Sequence, residues 1–227
     1  MIINDSFPKF DLPIDFIADD SITGDILNYY SNFPCKIKAG VFVLCTEGMV
    51  KATINLLEVV IRKNDFVIVL PNSFIQIHEV SSDTRISFAG FSSDFMLSGN
   101  YVEILLDSMP MILNSPVISL QDDIAGLYRN VYLLLIRAYT LPHSLENKDI
   151  IRSILAIFLQ GTKELYKRYG RKLDEPLRRE QELYRQFIQL LMAHYTSEHE
   201  VAFYAEKCGV TAAHFSLSRI HISEPTR

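Results

Sequence analysis

Between Ile37 and Phe91 the chain repeats one short pattern, and this limits its fold more than any other feature. The segments Ile37–Cys45, Val50–Ile54, Leu57–Arg62, Phe66–Leu70, Phe74–Val80 and Arg85–Phe91 recur about every nine residues and are rich in Val, Ile and Phe. Successive side chains of a strand point to opposite faces, so Val50, Ala52 and Ile54 share one face and Leu57, Val59 and Ile61 another. The joints carry turn chemistry. Gly48 in Thr46-Glu47-Gly48 is free to take positive φ, Asn55-Leu56 is short enough to close a hairpin, and Lys63-Asn64-Asp65 is polar. Short strands at this spacing predict a sandwich or a small barrel. Pro8, Pro13 and several aspartates ahead of them predict an extended lead-in.

From about residue 94 the apolar period lengthens to that of a helix. Met96–Asp107 reads as a helix ended by Met109-Pro110, and Asn114-Ser115-Pro116 as a break. Gln121–Thr140 then spaces Ile124, Leu127, Tyr128, Val131, Leu134, Leu135 and Ala138 three and four apart. After Leu141-Pro142-His143-Ser144, Leu145–Tyr169 reads as a second long helix. Its segment Ile154–Leu159 is apolar all round, which predicts burial on more than one side. The expected unit is an αα-hairpin with one side on the β domain and the other on a second subunit. Gly170–Pro176 is a polar link, and Pro176 suits the start of a helix running to about Tyr195 through Leu183, Phe187, Leu190 and Leu191.

Charge also differs between the two halves of the chain. Residues 1–120 carry 14 acidic and 7 basic side chains, whereas residues 121–227 carry 13 and 15, within an overall charge of −5. Lys163, Lys167, Arg168, Arg171, Lys172, Arg178, Arg179 and Arg185 form the basic cluster. Halves of opposite sign suggest modules with different partners. Apolar residues at 48% exclude a disordered chain. The longest fully apolar run has six residues, too short to span a bilayer, and the start lacks the basic and apolar regions of a secretory leader. Cys35, Cys45 and Cys208 are odd in number and lack C-x-x-C spacing, which fits a reducing cytoplasm and no zinc finger.

The most informative stretch is Val201–Ser216. It reads as helix, three-residue turn, helix. Ala205 is small where two helices cross, and Gly209, four residues on, sits where the turn requires positive φ. Tyr204, Cys208, Val210 and Phe215 are the apolar seals. Thr211 is suited to cap the second helix, whose exposed face would carry Thr211, Ala212, His214 and Ser216. A helix-turn-helix presents such a face to the DNA major groove.

Tyr204-Ala205-x-x-Cys208-x-Val210-Thr211-x-x-His214-Phe215-Ser216 resembles the first helix-turn-helix of the AraC/XylS family of bacterial transcription regulators. The match covers residues 177–216, with Cys208 in place of the usual Leu and Ala212 in place of Pro. The order of parts is similar too: a cupin-like barrel, a helical dimerisation hairpin, then the DNA-binding domain. The resemblance implies DNA contacts from Thr211, Ala212, His214 and Ser216, and a helix-turn-helix core of Tyr204, Ala205, Cys208, Gly209, Val210 and Phe215. After Ser216 the family pattern stops. Ser218 stands where an apolar seal belongs, and Arg219–Arg227 resembles a translated sequencing adapter, so the expectation is a chain truncated within the first helix-turn-helix. A second helix-turn-helix is missing, and DNA binding by the chain as written is expected to be weak.

The enzymatic readings are poorer. A cupin metal centre needs two or three His and a Glu converging in the barrel, and His78 is the one histidine in the strand region. His78 is therefore a pocket or surface residue and no metal or cofactor is expected. Cys35 and Cys45 lack a neighbouring His to activate them and read as small apolar residues. No P-loop, dinucleotide fingerprint or G-x-S-x-G elbow occurs. The plain reading of the basic cluster is a solvated helix face; beside a DNA-binding module it adds phosphate attraction.

The sequence therefore predicts an α+β chain. Residues 1–110 form a cupin-like β-barrel or jelly-roll sensor and 111–172 a helical dimerisation hairpin and linker. Residues 173–216 form an incomplete, all-α helix-turn-helix domain, and 217–227 a foreign tail. The function expected is a cytoplasmic, non-enzymatic transcription regulator that binds double-stranded DNA, with no membrane association. It would dimerise through residues 121–169 and answer to a small-molecule effector in the barrel. The alternative is a non-enzymatic cupin-type small-molecule binding protein.

Overall fold

The computed structural model describes residues 9–10, 12, 14–29, 31, 33–55, 57–97, 108–109, 111–140, 148–169, 183, 186–187, 190, 194, 198 and 200–211. The chain divides into two compact units, Met1–Arg171 and Lys172–Arg227. In the first unit the strands are β1 (Lys9–Phe10), β2 (Phe16–Thr23), β3 (Cys35–Ile37), β4 (Gly40–Glu47), β5 (Met49–Ile54), β6 (Leu57–Arg62), β7 (Asp65–Val69), β8 (Ser73–Val80), β9 (Arg85–Phe91) and β10 (Val117–Ser119). Its helices are α1 (Gly24–Tyr29), α2 (Ser93–Leu97), α3 (Asp122–Thr140) and α4 (Lys148–Tyr169).

The strands form two sheets. The distal sheet runs β1-β3-β8-β5-β6 and the middle sheet β10-β7-β4-β9-β2. All neighbours pair antiparallel except β1 and β3. The middle sheet is covered on both faces, and its sequence shows why. All five residues of β7 are buried. Phe66 and Ile68 enter a core shared with α3 and α4, while Val67 and Val69 enter the core between the sheets. On β4, Phe42 and Leu44 face the helices and Val41, Val43 and Cys45 face the distal sheet. Burial on two faces demands a run of apolar residues without alternation. Phe158 of α4 is the hub of the helix-side core, with ring centroids 5.1 Å from Phe42, 5.2 Å from Tyr132 and 6.1 Å from Tyr128.

Turn chemistry fixes the register. Gly48 and Asn64 have φ of 77° and 68°. The Asn64 N–H donates to the Cys45 carbonyl at 2.8 Å, and the Leu120 N–H donates to the Asn64 carbonyl at 3.0 Å. The Asp65 carboxylate accepts from the Arg62 N–H at 2.7 Å and the Ser119 hydroxyl at 2.6 Å. Asn64 Nδ2 donates to Asp122 Oδ1 at 2.5 Å, so the β6–β7 turn holds the start of α3.

Several expectations change. The β domain is a two-sheet sandwich and not a closed barrel, because both sheets end in edge strands. Alternation assigns side chains to faces but does not say whether a first strand meets a last one. The stretch Ile37–Cys45 is not one strand. The chain leaves the distal sheet after Ile37 and joins the middle sheet at Gly40. Within the extended lead-in, β2 is a full edge strand on β9, with a register shift between Asp19 and Ile22. Of the helix expected over Met96–Asp107, α2 includes Met96 and Leu97, and residues 98–107 lie outside the described ones. In Ile154–Leu159, four side chains are buried in the one core and Ile157 is 54% exposed. Within one chain residues i, i+1, i+4 and i+5 of the segment fill the core-facing stripe, and Ile157 lies on the side expected to meet a second subunit.

Candidate functional site: the turn after α5 and the space between the sheets

In the second unit, α5 spans Val201–Lys207 and follows Glu200 in extended conformation (φ −86°, ψ 125°). Its C-terminal end is fixed by three backbone bonds. The Cys208 N–H donates to the Tyr204 carbonyl at 2.9 Å, the Gly209 N–H to Glu206 at 3.0 Å, and the Val210 N–H to Ala205 at 3.0 Å. With Gly209 at φ 68°, this is a Schellman end, in which a left-handed residue closes the last carbonyls and turns the chain sharply. The turn satisfies groups that a helix end otherwise leaves open, and it fixes the direction in which Thr211 departs.

Side chains hold α5 from the other side. Tyr204 and Ala205 are buried, and the Tyr204 hydroxyl donates to the Glu198 carbonyl at 2.6 Å. The Tyr204 ring meets Phe187 and Phe203 edge-on at 5.8 and 5.3 Å, and His194 meets Phe203 at 5.3 Å. The Lys207 ammonium lies 5.8 Å from the Phe203 ring centre. Phe203, His194 and Lys207 escaped the sequence reading, although Phe203 and Lys207 stand four apart on a helix and so share a face. Cys208 and Val210 are half-buried, Gly209 and Thr211 are exposed, and burial raises the Cys208 thiol. Ala212, His214, Phe215 and Ser216 lie outside the described residues, as does most of the helix expected over 176–195.

The first unit offers a different site. β4 is the middle strand of its sheet and β8 of the other. In a tightly packed sandwich the facing side chains of such strands are the most enclosed. Here Val41 and Val43 of β4 and Ile75 and Ile77 of β8 are only half-buried, although they face the intersheet core. On the opposite face of β4, Phe42 and Leu44 are 1% exposed. Solvent therefore reaches the apolar space between the sheets, while the helix side of the same strand is sealed. The sequence alternation marked these residues as sharing a face; their partial exposure depends on how far apart the sheets stand.

The surrounding groups are chemically quiet. Cys45 is buried, its thiol donates to the Glu47 carbonyl at 3.2 Å, and it is pushed up to about 11, chiefly by desolvation. Burial also raises Cys35. His78 lies exposed in β8 with Nε2 2.7 Å from the Thr53 hydroxyl oxygen, beside the Lys51–Glu79 ion pair and not among the intersheet side chains. Among the described residues no three His, Cys, Asp or Glu side chains gather to hold a metal ion, and no helix is long and apolar enough to cross a membrane.

No protein-family model matches the chain, and no curated protein matches it. Among solved structures it is similar to the AraC-like transcriptional activator CuxR, at 10% identity over 78% of this chain and 59% of that one, with a TM-score of 0.43. It thus spans under two thirds of CuxR. It is also similar to ToxT from Vibrio cholerae, at 11% identity over 94% of this chain and 78% of that one, with a TM-score of 0.41.

Proposed function

We propose that this chain is a sequence-specific, DNA-binding transcription regulator with a small-molecule sensor in its N-terminal unit. The observation that carries the reading is the Schellman end at Gly209, seated on buried Tyr204 and Ala205, inside a stretch that resembles a helix-turn-helix. In this reading the helix opened by Thr211 enters the major groove, with Ala212, His214 and Ser216 on its outer face. The solvent-reached apolar space between the sheets supports the sensor, because small-molecule sites are concave and mostly apolar. Exposed Leu127 and Leu134 on α3, and Ile150 and Ile157 on α4, recur seven apart and support a homodimer through the helical pair.

The test is selection of bound sites from a random duplex library at low and at physiological salt. An enriched sequence, bound with steep salt dependence, is expected of a helix-turn-helix that reads bases while its neighbours touch phosphates. Loss of enrichment in Gly209→Val would tie the binding to the turn. Binding that is uniform across sequences, or absent at low salt, would instead favour a cupin-type small-molecule binding protein, which the intersheet space also supports.

A further inference from the structure

We infer that the occupant of the space between the sheets is an uncharged, largely apolar molecule; the inference rests on the sensor reading and assigns its ligand class. The half-buried walls are aliphatic and aromatic: Val41, Val43, Ile75, Ile77 and Phe88. Strand pairing places every other described residue of β3 to β10 that faces this space, and none of them is Lys, Arg or His. Two carboxylates do share the face. Asp65 pairs with Ser119 across β7 and β10 and is already bonded to Arg62 and Ser119. Asp19 lies opposite Phe88 on edge strand β2, and its Oδ1 accepts from the N–H of Ser21 at 2.6 Å and from the Ser21 hydroxyl at 2.5 Å.

Among the described strand residues an anion entering this space would find no cation to replace its water, and would approach two carboxylates. A desolvated charge without a partner is strongly disfavoured. A molecule with many hydroxyls would likewise lose its bonds to water, since the polar groups on this face are occupied by their own turns. Apolar surface alone is rewarded here, so size and shape select among uncharged ligands.

The probe is N-phenyl-1-naphthylamine, a neutral dye whose emission rises in apolar surroundings, added to the full chain at neutral pH. Decanol and decanoate, which share one alkyl chain, then compete for it. Decanol should displace the dye at about tenfold or more lower concentration than decanoate. Alkylation by N-ethylmaleimide gives a second reading on the unmodified chain. Decanol should slow the labelling of half-buried Cys35, which packs against the intersheet core, and leave Cys208 in the other unit unchanged. Val43→Phe should weaken dye binding by narrowing the space, and His78→Ala, remote from the intersheet side chains, should not. Equal or better competition by decanoate would overturn the ligand class while leaving a sensor in place. No dye binding and no protection of Cys35 by either competitor would overturn the class and the sensor together.

Discussion

At the scale of single residues, Gly209 and the buried acids make separable predictions. Chain neighbours aside, no atom of the described residues lies within 4 Å of the place a Cβ on Gly209 would take, so among them only the backbone conformation opposes a side chain there. Gly209→Ala should cost about 1–2 kcal/mol, and Gly209→Asn less, since Asn tolerates left-handed geometry better. Hydrogen exchange over residues 201–210 should quicken roughly 5- to 30-fold in the Ala variant. Unchanged exchange would show that the turn does not depend on this residue. Stability in alkali tests the first unit. Burial pushes the Cys45 thiol from 9.0 up to about 11, and raises the hydroxyls of Tyr128, Tyr132 and Tyr166. A pKa raised on folding gives stability that is full below the unfolded value and lost as pH climbs through the folded one. Urea midpoints should therefore hold to about pH 8 and fall above it. Across the window from 9.0 to about 11, Cys45 should contribute a loss of about 1.4 kcal/mol per pH unit, which Cys45→Ala removes from the slope. A slope identical in that variant would mean that the thiol ionises as freely in the folded chain as in the unfolded one.

At the scale of elements, one strand carries the contrast between the sealed and open faces. Phe42 and Val43 are neighbours on β4, yet Phe42 stacks on Phe158 and Val43 lines the space between the sheets. Phe42→Ala should cost about 3–5 kcal/mol by opening a cavity in a closed core. Val43→Ala should cost about 1 kcal/mol, because partly wet methyl groups lose little on removal. Chemical denaturation of both variants measures this, and equal large losses would mean that the space is packed shut. Much of this layering was legible in the sequence. The unbroken apolar run Phe66–Leu70 already suits a strand buried on both faces, the 3–4 spacing over Gln121–Thr140 marks α3, and Gly48 and Gly209 announce their turns. The rest needed partners that no local pattern names. The step from β3 to β4 at Lys38-Ala39 carries no strong turn residue, so two strands in different sheets read as one. β10 has three residues, too few for a period, and exists through its pairing with β7. No local pattern decides whether His78 is a pocket or a surface residue; its bond to Thr53 and the register shift opposite Lys51 and Ala52 are matters of strand pairing.

At the scale of the whole molecule, the question is what covers the outward side of α3 and α4. Leu127 is 58% exposed, Leu134 48% and Ile157 54%, on helices whose opposite sides are fully engaged with the middle sheet. Single exposed apolar residues are ordinary, but pairs repeated at heptad distance on adjoining helices form a seam of the kind that helices bury against each other. In a twofold interface each residue occurs twice, so one substitution is felt twice. Ile157→Glu would place two carboxylates in that seam and should convert a dimer to monomers, with the chain still folded, because Ile157 contributes nothing to the helix-side core. Phe158→Glu is the necessary contrast. That residue is fully buried between Phe42, Phe66 and Tyr132, so a charge there should unfold the first unit and not merely separate two folded copies. Sedimentation velocity over a wide concentration range, paired with far-UV circular dichroism, reads both outcomes. A dimer that becomes a folded monomer with Ile157→Glu, and an unfolded or aggregated Phe158→Glu, is the expected pair. A chain that sediments as a monomer without any substitution would remove the homodimer, and with it the paired presentation of two copies to two half-sites.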